Sequence, residues 1–212
     1  MQVHDAPVAP DGGWGWVIVL SSFVCNFIVD GICYTFGVFL DSYVQYFNSG
    51  KGTVSWAGSL LAGVYLSCGI HPRLMIKPFN SVSCIHLNLG AGPIVSALTN
   101  RYGCRTTCIV GSILGCISFV ASTFSNSVTM LLITYGVCGG IGFGLIYLPA
   151  IVSVGYYFEK RRALATGIAV CGSGLGTFVL APVASAMLST YDWKGAHLIL
   201  AGLILNCMVQ SY

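Results

Sequence analysis

The sequence predicts an all-α membrane protein crossing the bilayer six times, and three observations lead there. Only 7% of the 212 residues are charged while 56% are hydrophobic, against about 25% and about 45–50% in soluble domains. The apolar residues gather into six runs, most of them long enough for the roughly 20 residues that a helix needs to span hydrocarbon. The basic residues between the runs are distributed unequally, as the positive-inside rule requires.

The first run, Val17 to Tyr43, is introduced by Pro10-Asp11-Gly12-Gly13-Trp14-Gly15-Trp16. Trp14 and Trp16 suit the headgroup level, and Gly12, Gly13 and Gly15 allow a tight turn before the helix. This run exceeds the apolar core of a secretory signal and no Lys or Arg precedes it, so we expect it to be retained as a span. Five further runs follow: Val54 to Ile70, Cys108 to Phe124, Val128 to Phe158, Ala163 to Leu188 and Ala196 to Val209. With both ends cytoplasmic, the inner loops carry Arg101, Arg105, Lys160, Arg161 and Arg162, and the outer loops Lys51 and Lys194.

The second run is interrupted. Residues 70–90 contain His71, Pro72, Arg73, Lys77, Pro78, Asn80, His86 and Asn88, a poor composition for hydrocarbon. Removing them joins Val54–Gly69 to Ala91–Thr99 as a single run of 25 residues ending near Arg101, a full tilted span. Treating Cys84 to Thr99 as a seventh span would instead send most of the basic residues outside. The organisation expected is therefore a tail with its opening motif (1–16) and a six-helix bundle (17–212), with 70–90 as a loop inserted in the second helix. An alternative splice segment or a retained intron read in frame would produce such an insertion.

Small residues mark where helices approach. Gly136, Gly140 and Gly144 recur every fourth residue in the fourth run, as do Gly111 and Gly115 in the third and Gly172 and Gly176 in the fifth. Pro149 and Pro182 free carbonyls inside the fourth and fifth runs, which suits a kink or a hinge. Asp30 is the one charge deep inside a run. It lies about 20 Å along the first helix at 1.5 Å per residue, where a carboxyl group points by default to function. Asn26 and Tyr34 stand one turn to either side, so the three polar tips share a face that we assign to the bundle interior. The competing assignment leaves Asp30 hydrogen-bonded to a neighbouring helix without touching solute. Tyr147 in the fourth run is a further lining candidate.

Other chemistries find little support. No C-x-x-C pair occurs among the ten cysteines, most of which lie inside apolar runs as small fillers. His4, His71, His86 and His197 show no metal-ligand spacing, so neither a metal nor another cofactor is expected. Asp11, Asp41, Glu159 and Asp192 fall in tails or loops and no G-x-S-x-G occurs, which argues against an enzyme. The run Gly139 to Gly144 lacks the strand and the acidic residue of a dinucleotide site. A net charge of +3 spread over short loops does not make a nucleic-acid surface.

The opening motif, together with Tyr157-Phe158-Glu159-Lys160-Arg161-Arg162-Ala163-Leu164-Ala165-Thr166-Gly167 and Ala169 to Gly176, resembles the two signatures of monocarboxylate transporters. The stretch Asn100-Arg101-Tyr102-Gly103-Cys104-Arg105 is similar to the loop between helices two and three of the major facilitator superfamily. The resemblance implies the six-helix amino-terminal bundle of a major facilitator fold, built of two inverted three-helix repeats. It implies a multi-pass protein, of the plasma membrane, that moves small organic acids by alternating access, with a proton as a possible co-substrate. Asp11, Gly12, Gly13, Trp14 and Trp16 would be signature positions, Arg162 and Gly172 would matter for transport, and Arg101 would belong to a cytoplasmic gate with Arg105 and Arg161 near it. Two departures bear on substrate and coupling: Tyr34 stands where the lactate carriers have Lys, and Asn100 where the superfamily commonly has Asp. The chain ends soon after the sixth run, so the expected partners include a second half, an ancillary membrane subunit or another copy of itself, besides the lipid bilayer. We expect a truncated isoform or an incomplete gene model that does not transport alone; the alternative is a non-transporting partner that modulates a full-length carrier.

Overall fold

The computed structural model describes residues 12–69 and 92–210, so Asp11 and the segment expected to interrupt the second span lie outside the described residues. Regular structure within them is helical: α1 (Gly15–Tyr34), α2 (Phe36–Phe47), α3 (Lys51–Gly69), α4 (Gly92–Thr123), α5 (Val128–Leu131), a π-helical stretch (Leu132–Cys138), α6 (Gly139–Tyr157) and α7 (Arg162–Val209). Four stretches among the described residues are long and apolar enough to cross a membrane: Gly15–Phe47, Arg101–Thr123, Val128–Tyr157 and Arg162–Val209.

The six expected runs are thus joined differently from the sequence reading, and single residues explain it. The first run divides at Thr35, whose hydroxyl donates to the carbonyls of Gly31 (2.9 Å) and Ile32 (3.0 Å). A side chain bonding back to the preceding turn competes with the helix ladder and bends it. Within α4 the helix is broken at Gly103 (φ 85°, ψ 161°), a conformation that costs glycine little. The fifth and sixth runs are continuous in α7 except for Asp192 (φ 60°, ψ 172°). Its carboxylate accepts a hydrogen bond from the Trp193 N–H at 2.7 Å, which helps to hold this sparsely populated backbone geometry. Pro149 and Pro182 lie inside α6 and α7, and neither is a point of non-helical backbone.

Glycine contacts hold the helices together. α1 packs principally on α7, α4 on α6 and α7, and α3 on α6 and the π-helical stretch. A Cβ at Gly172 would sit 2.3 Å from the Phe23 carbonyl oxygen, and one at Gly176 2.2 Å from that of Phe27, so α7 touches the backbone of α1 directly. Gly142 faces Gly115 and Gly111 across the α4–α6 contact, while Gly136 and Gly140 face the Ala57 and Leu61 carbonyls of α3. Close backbone approach of this kind replaces the hydrophobic drive that membrane helices lack for one another.

The two ends of the bundle differ in charge. Lys51 pairs with Asp41 at 2.8 Å, and Lys194 donates to the Tyr46 hydroxyl at 2.8 Å while lying over the Tyr46 and Trp193 rings. At the opposite end Arg105 joins Ile18, Tyr156, Tyr157 and Gln210 around a cavity of about 210 Å³, and the Arg162 guanidinium folds back against Gly155 near the C-terminus of α6. A cation placed there complements the negative end of the helix dipole.

Candidate functional site

Side chains from four helices gather around Asp30 on α1. The carboxyl group is 4% exposed and accepts a hydrogen bond from the Tyr65 hydroxyl of α3 at 2.5 Å. Ser173 of α7 faces the same carboxyl group. Tyr147 of α6 packs edge-on against Tyr65, with ring centroids 5.0 Å apart and planes at 79°, and lies within electrostatic reach of Asp30. Tyr34 also lies within reach of Asp30 and of Tyr147 but is 56% exposed. The expected interior face is therefore interior at Asn26 and Asp30 and open at Tyr34, because α1 ends there and the chain bends at Thr35. The sequence pointed to Asp30, Tyr34 and Tyr147; Tyr65 and Ser173 come from helices whose rotation no spacing fixed.

Asn26, one turn before Asp30, ties α1 to α7. Its amide nitrogen donates to the carbonyls of Ser22 (2.9 Å) and Ala169 (3.1 Å), while its Oδ1 is buried without a hydrogen-bond donor among the described residues. The wall formed by Asn26, Asp30 and Ser173 consequently carries no positive charge of its own. Lysine and arginine among the described residues stand at helix ends or beside the breaks, none in mid-helix next to it.

The two signature segments meet each other at the arginine-bearing end. Gly13 takes a positive φ of 58°, and the turn is closed by hydrogen bonds from Gly15 N to Gly12 O (3.2 Å) and Trp16 N to Gly13 O (3.3 Å). Gly15, expected to serve that turn, is already helical and does something else. A Cβ on it would lie 2.9 Å from the Phe158 ring, so its bareness admits that ring. Trp16 then meets Phe158 edge-on at 5.2 Å, and Ile18, Val19, Val154, Ala165 and Ala169 close a small apolar cluster around it. Trp14 projects outward. Arg101 lies over the neighbouring Tyr102 ring at 5.6 Å, and Arg161 leads into α7, its carbonyl accepting from Ala165 N. Gly172 meets the Phe23 carbonyl of α1.

His197, which showed no ligand pattern in the sequence, is fully buried at the other end. Its ring is hydrogen-bonded to the Tyr43 hydroxyl through Nε2 and to Ser122 Oγ through Nδ1 at 2.6 Å. The Ser122 hydroxyl also reaches the Phe119 carbonyl at 2.7 Å, an arrangement that suits an Nδ1–H donating to Oγ with Nε2 accepting from Tyr43. Tyr135 of the π-helical stretch stacks on the imidazole at 5.4 Å, with Phe39, Phe119 and Trp193 around it. His197 joins α2, α4 and α7; only its position in an apolar run could have flagged it.

Residues 22–211 match the family model of the Major Facilitator Superfamily. Monocarboxylate transporter 12 of Xenopus laevis is 36% identical over 208 residues, covering 98% of this chain and 40% of that protein. Monocarboxylate transporter 14 of Homo sapiens is 35% identical over 199 residues (94% and 34%), and monocarboxylate transporter 1 of Bos taurus 37% over 206 residues (95% and 36%). The chain thus spans well under half the length of these relatives, which are transporters rather than enzymes. With apolar helices packed through glycines and a match over most of its length, the chain is an integral membrane protein that belongs to the Major Facilitator Superfamily.

Proposed function

We propose that the chain supplies one six-helix half of a carrier that moves monocarboxylates or related small organic solutes across the plasma membrane by alternating access. The observation that carries this reading is the convergence of α1, α3, α6 and α7 on Asp30. A lone mid-membrane carboxyl group faced from four helices, with Tyr34 exposed beside it, has the composition of a solute-facing wall. In this reading Asn26, Asp30, Tyr34 and Tyr147 line the pathway together with Tyr65 and Ser173. Arg101, Arg105, Arg161 and Arg162 belong to the cytoplasmic gate, and the Trp16–Phe158 contact couples the first helix to the fourth and fifth.

The six-span count is supported by the breaks. Dividing α4 at Gly103 and α7 at Asp192 gives six crossings once α1 and α2 are taken as one bent helix and the start of α4 as the continuation of α3. In this reading the six crossings form two inverted repeats of three helices, with residues 70–90 as a cytoplasmic insertion in the second helix. The face left open at Tyr34 is where a second six-helix half would pack, and a proton would be the co-substrate.

The test is uptake of labelled monocarboxylates into vesicles holding residues 1–212, alone and together with a full-length relative. The half-carrier reading expects no uptake by the chain alone. Uptake by the isolated chain contradicts it, and modulation of the relative without solute binding to this chain favours a partner role.

A further inference from the structure

Resting on the reading of the Asp30 wall as solute-facing, we propose that the solute it accepts carries a cationic nitrogen, and that Asp30 with the faces of Tyr34, Tyr65 and Tyr147 recognises that charge. Three features of the wall bear on its sign. Its only ionisable group able to hold charge near neutral pH is a carboxylate, 4% exposed, with a neutral donor, Tyr65, on one oxygen. Its remaining polar groups are uncharged: the Asn26 amide donates to backbone carbonyls and leaves Oδ1 without a donor among the described residues, and the Ser173 hydroxyl hydrogen-bonds to Asp30 itself. Three tyrosine rings come from three helices, and two of them, Tyr65 and Tyr147, are set edge to face.

Aromatic faces attract cations through their quadrupole, most strongly where water is excluded. A buried carboxylate is stable as a charge only when paired. The described lysines and arginines stand at helix ends or beside the breaks at Gly103 and Asp192, so none is placed next to Asp30 to supply the pairing charge. A solute bearing an ammonium or guanidinium group supplies the positive charge that the wall lacks. A solute whose only charge is a carboxylate meets a like charge here, unless Asp30 carries a proton. The two cases differ in whether replacing a nitrogen by a carbon in the solute matters.

That replacement exists as a matched pair of small molecules. Betaine, (CH3)3N⁺CH2COO⁻, and 3,3-dimethylbutanoate, (CH3)3CCH2COO⁻, have nearly the same shape and differ in one atom and one positive charge. Binding of each to the purified 212-residue chain in lipid nanodiscs is measured by calorimetry, for the unaltered chain and for Asp30→Asn, Asp30→Glu and Tyr147→Leu. Betaine is expected to bind at least about tenfold more tightly than the isostere. Asp30→Asn should bring the two to equal affinity, Asp30→Glu should keep the preference, and Tyr147→Leu should reduce it. Thermal unfolding of each variant identifies loss of fold, and the unaltered chain gives the decisive comparison without any substitution. Equal binding, or tighter binding of 3,3-dimethylbutanoate, overturns the charge assignment and leaves the solute-facing wall standing. Binding of neither overturns the wall itself.

Discussion

Replacing Gly172 by alanine tests the close α1–α7 contact, and a neighbour on the same helix supplies the control. A Cβ at Gly172 would stand 2.3 Å from the Phe23 carbonyl oxygen and 3.1 Å from its carbon. Carbon and oxygen need a little over 3 Å, so the two helices must separate by about 1 Å, a gap that on a 6–12 potential forfeits up to about half of each contact's attraction. The obstacle is backbone, which has no rotamer to change, so the cost belongs at the upper end of the about 1–3 kcal/mol typical of overpacking. Alanine's better helix propensity returns about 0.8–1.0 kcal/mol, leaving a net loss of about 1–2 kcal/mol. Gly174, two residues on, has nothing within 4 Å of the same imagined Cβ. Gly174→Ala should therefore be neutral or gain up to about 1 kcal/mol, so the two variants should differ by about 2–3 kcal/mol. Reversible unfolding in mixed micelles, titrated with dodecyl sulfate, measures both. Equal stabilities, or a Gly174→Ala chain weaker than Gly172→Ala, would refute the inference that direct backbone contact joins α1 to α7.

Phe158→Ala empties the pocket that Gly15 leaves open for a fully buried ring, and should lower stability by about 3–5 kcal/mol; in the same micelle titration, a loss below about 1 kcal/mol would show that the signature segments do not depend on each other. His197→Phe keeps the aromatic packing but leaves the buried Tyr43 hydroxyl without its partner, while Ser122 Oγ keeps its bond to the Phe119 carbonyl, at about 1–3 kcal/mol for the stranded hydroxyl. The double change His197→Phe with Tyr43→Phe should recover part of that loss, and strict additivity in the double-mutant cycle would count against the network. Limited proteolysis of sealed vesicles should cut within residues 70–90 from the cytoplasmic side only; cleavage from the outer side alone would invert the proposed topology.

Much of the architecture was legible because lipid imposes a blunt rule: long apolar runs become helices and basic residues collect on one side. The glycine spacings were legible as contacts, and Asp30 stood out because a carboxyl group in mid-run is costly to place in hydrocarbon. Where helices join was less visible. Asp192 reads as an ordinary loop acid, yet a single left-handed residue there turns α7 without a loop, and Thr35 bends the first helix through a bond to its own preceding turn. The π-helical stretch Leu132–Cys138 carries no composition signal at all. Partners across helices were invisible for a different reason. Tyr65 and Ser173 reach Asp30, and His197 reaches Tyr43 and Ser122, only because of how separate helices rotate against one another. One sequence without its contacts does not specify that rotation.

Whether Asp30 faces solute is tested most directly by carbodiimide labelling of that carboxyl group in nanodiscs. Dicyclohexylcarbodiimide partitions into the bilayer, and mass spectrometry locates the modified residue. With a solute shown by calorimetry to bind the 212-residue chain, a solute-facing Asp30 should be labelled in its absence, and saturating solute should slow the labelling severalfold. Labelling of Asp30 at the same rate with the solute bound would place the binding elsewhere and contradict the solute-facing wall.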